Sequence, residues 1–230
     1  MRLTDKQCSI EDAIARIQDG ATVMLGGFGV PGTPFALIRA LVRHGARDLT
    51  VIKNDANEPD MGVDHLLRSG QVARLITTHL GLNGHAIDLM NKGRIKVEFN
   101  AQGILAERIR AGGAGIGGFL SDIGIGTELA EGKRMIEFGG KTHVIEPALR
   151  ADVALLHAAR ADSFGNLAYA ATARNFNPLM AMAADCVIVE AEAVLSLGAL
   201  DANDIHTPGV FVDHVTELAA LSEEYAVVQR

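Results

Sequence analysis

Tryptophan is absent from this 230-residue chain, and aromatic residues together make up only 4% of it. A core built without large rings has to be assembled from Ala, Val, Leu and Ile, which suits tightly packed layers of helix on sheet. Cysteine occurs twice, at Cys8 and Cys186, far apart and in no metal-ligand spacing. Both are expected to be inert thiols, and no metal site is expected. No apolar run reaches the length needed to cross a membrane. The opening stretch MRLTDKQCSI lacks the apolar segment of a signal peptide. Positive charge is also scarce: 21 Lys and Arg stand against 28 Asp and Glu, a net charge of −7. That is the wrong sign for a general nucleic-acid binder. These absences lead to the expectation of a soluble cytoplasmic protein with no nucleic-acid or membrane partner. An anionic ligand has to be held locally, by backbone amides or a few Arg and Lys.

Hydrophobic residues are plentiful, at 48%. The length fits one α/β domain or at most two small ones. No repeat, linker or low-complexity segment divides the chain, so residues 1–230 are expected to form a single domain.

Ser9, followed by Asp12 and apolar residues at 10, 13, 14 and 17, predicts a capped helix that ends at Asp19-Gly20. ATVMLGG is a continuous apolar run, as expected of a strand buried on both faces. Thr33 is the expected N-cap of the next helix, with Pro34 at its first position and Gly45 as its stop. Beyond it, DLTVIKND, VARLITTHLG and IKVEFN predict strands. MGVDHLLRSG, HAIDLMNKG and GILAERIRAGG predict helices. The alternation argues for an open, mainly parallel sheet flanked by helices. RMIEFGGKTHVIE, residues 134–146, predicts an antiparallel hairpin turning at Gly139-Gly140. ADVALLHA and DCVIVEAE add two core strands, and the tail from Gly209 predicts a strand followed by a helix.

The first strand runs into Gly27-Phe28-Gly29-Val30-Pro31-Gly32, which satisfies the dinucleotide fingerprint G-x-G-x-x-G. In a Rossmann turn the third glycine lies inside the helix. Here Pro34 steers residue 33 away from helical geometry, so Gly32 should stay in the loop. The acid that would bind a ribose is also poorly placed: Asp48 comes too early and Asp55 late. A NAD-binding oxidoreductase is therefore the different-class alternative. The other readings of the loop are a tight turn, or a backbone approach to an anion or a partner chain.

A longer pattern surrounds the loop. Asp19-Gly20, two residues, Val23-Met24-Leu25, Gly26-Gly27-Phe28, three residues and Gly32-Thr33-Pro34 resemble the signature of family I CoA-transferase α subunits. The resemblance continues through AQGILAERIRAGGAGIGGFLSDIGIGT (101–127), LRADVALLHAARADSFGNLAY, TARNFNPLMAMAA and DIHTPGVFVDH. In pattern it is nearest to bacterial acetate or acetoacetate CoA-transferases.

The resemblance implies the CoA-transferase fold and a reaction in which CoA passes between two carboxylic acids. A Glu carboxylate attacks the acyl thioester, and an anhydride and then a glutamyl-CoA thioester follow. In the family that Glu stands before Asn in a β subunit. No Glu of this chain is followed by Asn, and Glu58, followed by Pro59, does not fit. The partner implied is thus a β subunit, in a heterodimer or larger α/β assembly. The substrates are acyl-CoA and carboxylates, with the coenzyme A thioester as substrate and no tightly bound cofactor.

Gln102 matches the family's Gln, whose amide donates to the thioester oxyanion. Ala101 departs from the usual Pro before it. Substrate or CoA contacts are expected at Gly26, Gly27, Phe28, Gly29, Val30, Pro31, Gly32, Asn54 and Asn83, with turn capping the alternative for the two asparagines. RIRAGGAGIGG, with Arg108 and Arg110, is open to a phosphate cradle or to a helix end with a glycine turn. Arg174 and Asn175 are candidates for an interface, a pocket or a structural role. The α subunit of a 3-oxoacid or 3-oxoadipate CoA-transferase is the alternative within the family.

Overall fold

The computed structural model describes residues 5–227. Ser9 caps α1 (Ile10–Ile14), accepting the Asp12 N–H at 3.1 Å. The apolar repeat continues to Ile17, but Arg16 and Ile17 bond three residues back, so the helix tightens and stops a turn early. Alternating elements follow: β1 (Thr22–Leu25), α2 (Phe35–His44), β2 (Leu49–Ile52), α3 (Val63–Arg68), β3 (Val72–Thr77), α4 (Gly84–Asn91), β4 (Lys96–Phe99) and α5 (Gln102–Gly113). β5 (Gly118–Ser121), β6 (Met135–Phe138) and β7 (Lys141–Pro147) form a separate antiparallel sheet in the order β5-β7-β6. Its hairpin turns at Gly139 and Gly140, both at positive φ, as a two-residue turn between twisted strands requires. β5 extends this hairpin to three strands.

The chain then returns to the main sheet through β8 (Ala151–Asp162), β9 (Leu167–Ala168), α6 (Asn177–Ala183), β10 (Ala184–Leu195) and β11 (His214–Glu217). The main sheet has the order β11-β10-β8-β1-β2-β3-β4, with all those neighbours parallel and β9 antiparallel on β8. Both faces are covered. Val23 and Leu25 of β1 belong to one buried cluster with Leu37, Leu41 and Leu75. Met24, pointing the other way, belongs to a second with Leu105, Ile109 and Met180. That explains the unbroken apolar run of β1. From β1 the chain moves outward to β2, whereas β8 closes the opposite flank much later. The strand order therefore reverses at β1, and the loops leaving β1, β2, β3 and β4 gather along one edge, the usual ligand edge of an open parallel sheet.

The tail departs from the predicted strand-then-helix pattern at both ends: Gly209–Phe211 is a 3-10 turn and the strand starts only at His214. β11 is followed by a 3-10 turn, Glu223–Val227. The end of the predicted helix lies outside the described residues.

Candidate active site

The glycine loop is held from four directions. Asp55, just beyond β2, accepts the Gly29 N–H through Oδ2 at 2.8 Å. The Gly29 carbonyl accepts Asn57 Nδ2 at 2.9 Å and Thr33 Oγ1 at 2.6 Å. Asn175 Nδ2 donates to Pro31 O at 2.9 Å, and Asn177 Nδ2 to Gly32 O at 3.1 Å. Thr33 is thus not the helix cap that the sequence predicts. α2 begins at Phe35 with Pro34 as its cap residue and no side-chain cap bond. Thr33 closes the loop instead, and the start of α2 is served from β10: Glu190 Oε2 accepts the Leu37 N–H at 2.8 Å.

The glycines answer mainly to this internal packing. A Cβ on Gly26 would lie 2.0 Å from Asn177 Oδ1, one on Gly27 2.3 Å from Thr33 Oγ1, and one on Gly32 2.5 Å from Ala173 O. Gly27 also sits at φ +95°. Only at Gly29, φ +58°, does the missing side chain face open space. This geometry is not a Rossmann turn. Gly32 precedes the helix, and Asp55, the late candidate for a ribose, is bonded to the loop.

Gln102 opens α5 from an exposed position, and its Nε2 donates to Asn54 Oδ1 at 2.8 Å. One N–H of that amide is spent on this bond, which orients the other. Asn54 is fully buried and passes the link onward, donating through Nδ2 to Asp55 Oδ2 at 3.1 Å. A bonded chain Gln102–Asn54–Asp55–Gly29 therefore spans the ends of β4, β2 and β1. Ala101 puts no capping side chain over the start of α5, so the positive end of the helix dipole lies beside the Gln102 amide.

Asp55 is charged and fully engaged. Burial pushes its carboxyl up, but Lys53, the Gly29 and Asn57 N–H groups and the Asn54 amide outweigh burial and hold it below the ordinary carboxylate range. Lys53 is completely buried behind it, Nζ 3.4 Å from Oδ1, and burial lowers its pKa.

Between the loop and the segments after β2 and β3 lies a cleft of about 450 Å³, counted to its open mouth, with Phe28, Val30, Glu58 and Leu82 among its lining. Asn83 lies beneath this edge, fully buried. It caps α4, accepting the Ala86 N–H at 2.9 Å, and donates to Ala56 O and Asp64 Oδ1, both at 3.1 Å. Its geometry is that of the turn-capping alternative.

Arg108 is buried and donates to Glu98, Asn100 and the Pro147 carbonyl, while Arg110 pairs with Glu107 on the surface. Gly112 and Gly113 pack against Leu149 and Met182. RIRAGG is thus a helix end that packs closely, with its inner arginine already committed. Asn175 braces the glycine loop, and Arg174 is exposed.

His157 gave no sequence signal of its importance. It is 1% exposed and lies between Glu190, 3.0 Å from Nδ1, and Glu192, 3.2 Å from Nε2. Burial works against the imidazolium, but the two carboxylates outweigh it and raise the pKa above the usual histidine value. Tyr225 lies against this ring, 4.9 Å between centroids, and its hydroxyl donates to Thr33 O. These partners come from strands and a tail far apart in sequence, so no local motif could announce them. Among the described residues, no group of three or more His, Cys, Asp and Glu could hold a metal ion.

Fold and site together define an α/β protein that presents amide donors and a glycine loop at the strand ends of an open parallel sheet. The family model described as coenzyme A transferase matches residues 8–218, and the chain belongs to that family. The alpha subunit of the acetate CoA-transferase of Escherichia coli (strain K12) is 45% identical over 91% of this chain and 96% of its own. A 3-oxoadipate CoA-transferase subunit from Pseudomonas putida is also 45% identical, over 92% of each chain. Among solved structures, a variant of the decarboxylase AibA/AibB superposes with TM-score 0.80 at 30% identity, over 95% of this chain and 84% of that one. An acyl-CoA transferase from Escherichia coli O157:H7, as its thioester complex with CoA, shares the fold with TM-score 0.85 at 24% identity, over 96% of this chain and 48% of that one.

Proposed function

We propose that this chain is the α subunit of a two-chain CoA-transferase that moves CoA between short-chain carboxylic acids such as acetate, butyrate or acetoacetate. The coenzyme A thioester is its substrate, and a β subunit supplies the nucleophilic Glu. The observation that carries this reading is the bonded chain from Gln102 to Gly29. It fixes an uncharged N–H donor at the ligand edge, and the carboxylate within that chain, Asp55, has both oxygens engaged.

In this reading the partner's Glu attacks the thioester carbonyl carbon and forms a tetrahedral oxyanion. Its collapse expels CoA thiolate and leaves an acyl-glutamyl anhydride. The thiolate then attacks the Glu carbonyl, releasing the first acid and leaving glutamyl-CoA. An incoming carboxylate reverses the sequence. Gln102 has its free amide N–H for the oxyanion of each intermediate, a neutral donor that suits charge appearing and disappearing in turn. The glycine loop, clamped by Asp55, Asn57 and Asn175, bounds the place where acyl group and partner Glu meet.

The names of the acetate and 3-oxoadipate relatives both point to a partnered subunit but to different acids. A 3-oxoacid such as 3-oxoadipate is accordingly the second reading. The test is acyl exchange by this chain alone and after co-expression with a β-type chain, using butyryl-CoA with acetate and succinyl-CoA with 3-oxoadipate. Turnover only in the pair, and with the first couple, is the expected result. Robust turnover by the single chain would overturn the two-chain reading. Decarboxylation without CoA exchange in the pair would overturn the transferase itself.

A further inference from the structure

The cleft beside the glycine loop bears on which acyl group the enzyme receives. Phe28 and Val30 of the loop line it together with Met61, Leu80 and Leu82. Phe28 is 44% exposed and Leu82 66%, so large apolar side chains are presented to solvent at its mouth, the pattern of a ligand-binding concavity. Apart from the imidazole of His79, the ionisable side chains along it are carboxylates. Glu58 is exposed within the lining, and Asp55 is the other carboxylate. Neither Lys nor Arg is among the described lining residues. Lys53 lies behind Asp55, fully buried and paired with it.

An acyl group with a hydrocarbon tail suits these walls. A dicarboxylic acyl group, such as succinyl, brings a second carboxylate that meets Glu58 and finds no Lys or Arg in the described lining, only the His79 imidazole. Burying such a charge without a partner is costly. The cleft also adjoins the chemistry, because Asp55 and Gly29 line it and belong to the bonded chain that orients Gln102.

We infer that this cleft receives the hydrocarbon tail of a monocarboxylic acyl group longer than acetyl, and that Glu58 disfavours acyl groups carrying a second carboxylate. The inference rests on the transferase reading above and narrows its substrate class. It makes Phe28, Met61, Leu82 and Glu58 specificity-determining residues for the transfer.

The test uses the assembled enzyme, this chain with its β-type partner, and compares kcat/KM for acetyl-, butyryl- and succinyl-CoA with isotopically labelled acetate as acceptor. Size-exclusion chromatography checks assembly of each variant. Wild type should favour butyryl- over succinyl-CoA by about 10-fold or more, the scale on which apolar pockets discriminate. Met61→Trp, which fills the cleft, should lower the butyryl-to-acetyl ratio by about 10-fold. Glu58→Arg changes an exposed loop position, so folding is not at stake, and should raise the succinyl-to-butyryl ratio. A wild-type preference for succinyl-CoA would overturn the inference while leaving the transferase reading standing. So would an assembled Met61→Trp enzyme with an unmoved butyryl-to-acetyl ratio, or a Glu58→Arg enzyme with an unmoved succinyl-to-butyryl ratio, the latter deciding alone where Met61→Trp does not assemble. Absence of CoA transfer with every thioester tried would instead bring down the transferase reading itself.

Discussion

Asp55 clamps Gly29: its Oδ2 accepts the loop N–H at 2.8 Å while its Oδ1 lies 3.4 Å from the buried ammonium of Lys53. One carboxylate thereby serves the loop conformation and neutralises a charge that has no access to water. Asp55→Asn should cost about 3–5 kcal/mol, the usual consequence of leaving a buried charge without its partner. The double variant Lys53→Met/Asp55→Asn should recover much of that loss in denaturant unfolding of the free chain. Acyl transfer by the complex should stay depressed, because the Gly29 clamp is still weakened. Equal stability of the single and double variants would show that the pair is not the source.

Gln102→Ala should reduce kcat of the assembled enzyme by about 10²–10³-fold, the effect of losing one oxyanion donor. The side chain is exposed and its bond to Asn54 is a single one, so assembly and melting temperature should change little. An unchanged kcat would place Gln102 among the structural residues.

Gly27 and Gly29 should separate strain from access. Gly27 has positive φ and no room for a Cβ, whereas Gly29 has positive φ and open space. Gly27→Val should therefore lower the melting temperature of the free chain sharply, through backbone strain of about 1–3 kcal/mol and collision with Thr33. Gly29→Ala should destabilise by no more than about 1–2 kcal/mol. If it still abolishes transfer in the complex, the open side of the loop is where substrate or the partner's Glu approaches. A Gly27→Val chain with wild-type melting would contradict the close packing of the loop on Thr33.

The His157 ion pair should appear in the pH dependence of stability. Its pKa is raised on folding by Glu190 and Glu192. The imidazolium therefore contributes fully below the unfolded value of about 6.5 and is lost as pH rises through the higher folded value. Thermal melting of the wild-type chain should decline through that window on the alkaline side. His157→Gln should flatten this part of the profile. A parallel decline in the variant would assign it instead to the Glu190 carboxyl, whose own pKa burial raises on folding, a shift of the same sign.

The sequence carries the elements whose causes are local. The apolar run of β1, the prolines that keep Gly32 out of α2, and the glycine pair that turns the β6–β7 hairpin all act within a few residues. Gln102 and Asn54 could be singled out, but not the bond between them, because nothing in the string states that the ends of β2 and β4 meet. Thr33 shows the opposite failure. Its type and position fit a helix cap, yet the Gly29 carbonyl competes for its hydroxyl and wins, since Glu190 already serves the helix start. Asn83 has the polarity of a pocket residue and the geometry of a cap, and only burial tells the two apart. The third strand of the small sheet, β5, is likewise invisible in the string because GGFL has no alternation to mark it.

The position of β1 has a consequence for synthesis. Its Val23–Leu25 edge pairs with Val153–Leu155 of β8, so the central seam of the sheet joins two stretches separated by most of the chain. At about 5–20 residues per second, a ribosome needs several seconds to tens of seconds after β1 before β8 emerges. Until then the first four strands have an apolar edge with unmatched backbone groups, the kind of edge that recruits other chains. Closing so long a loop late also slows folding. The arrangement that gathers the loops leaving β1 to β4 on one rim thus leaves the seam edge of the nascent sheet open until the second half of the chain arrives.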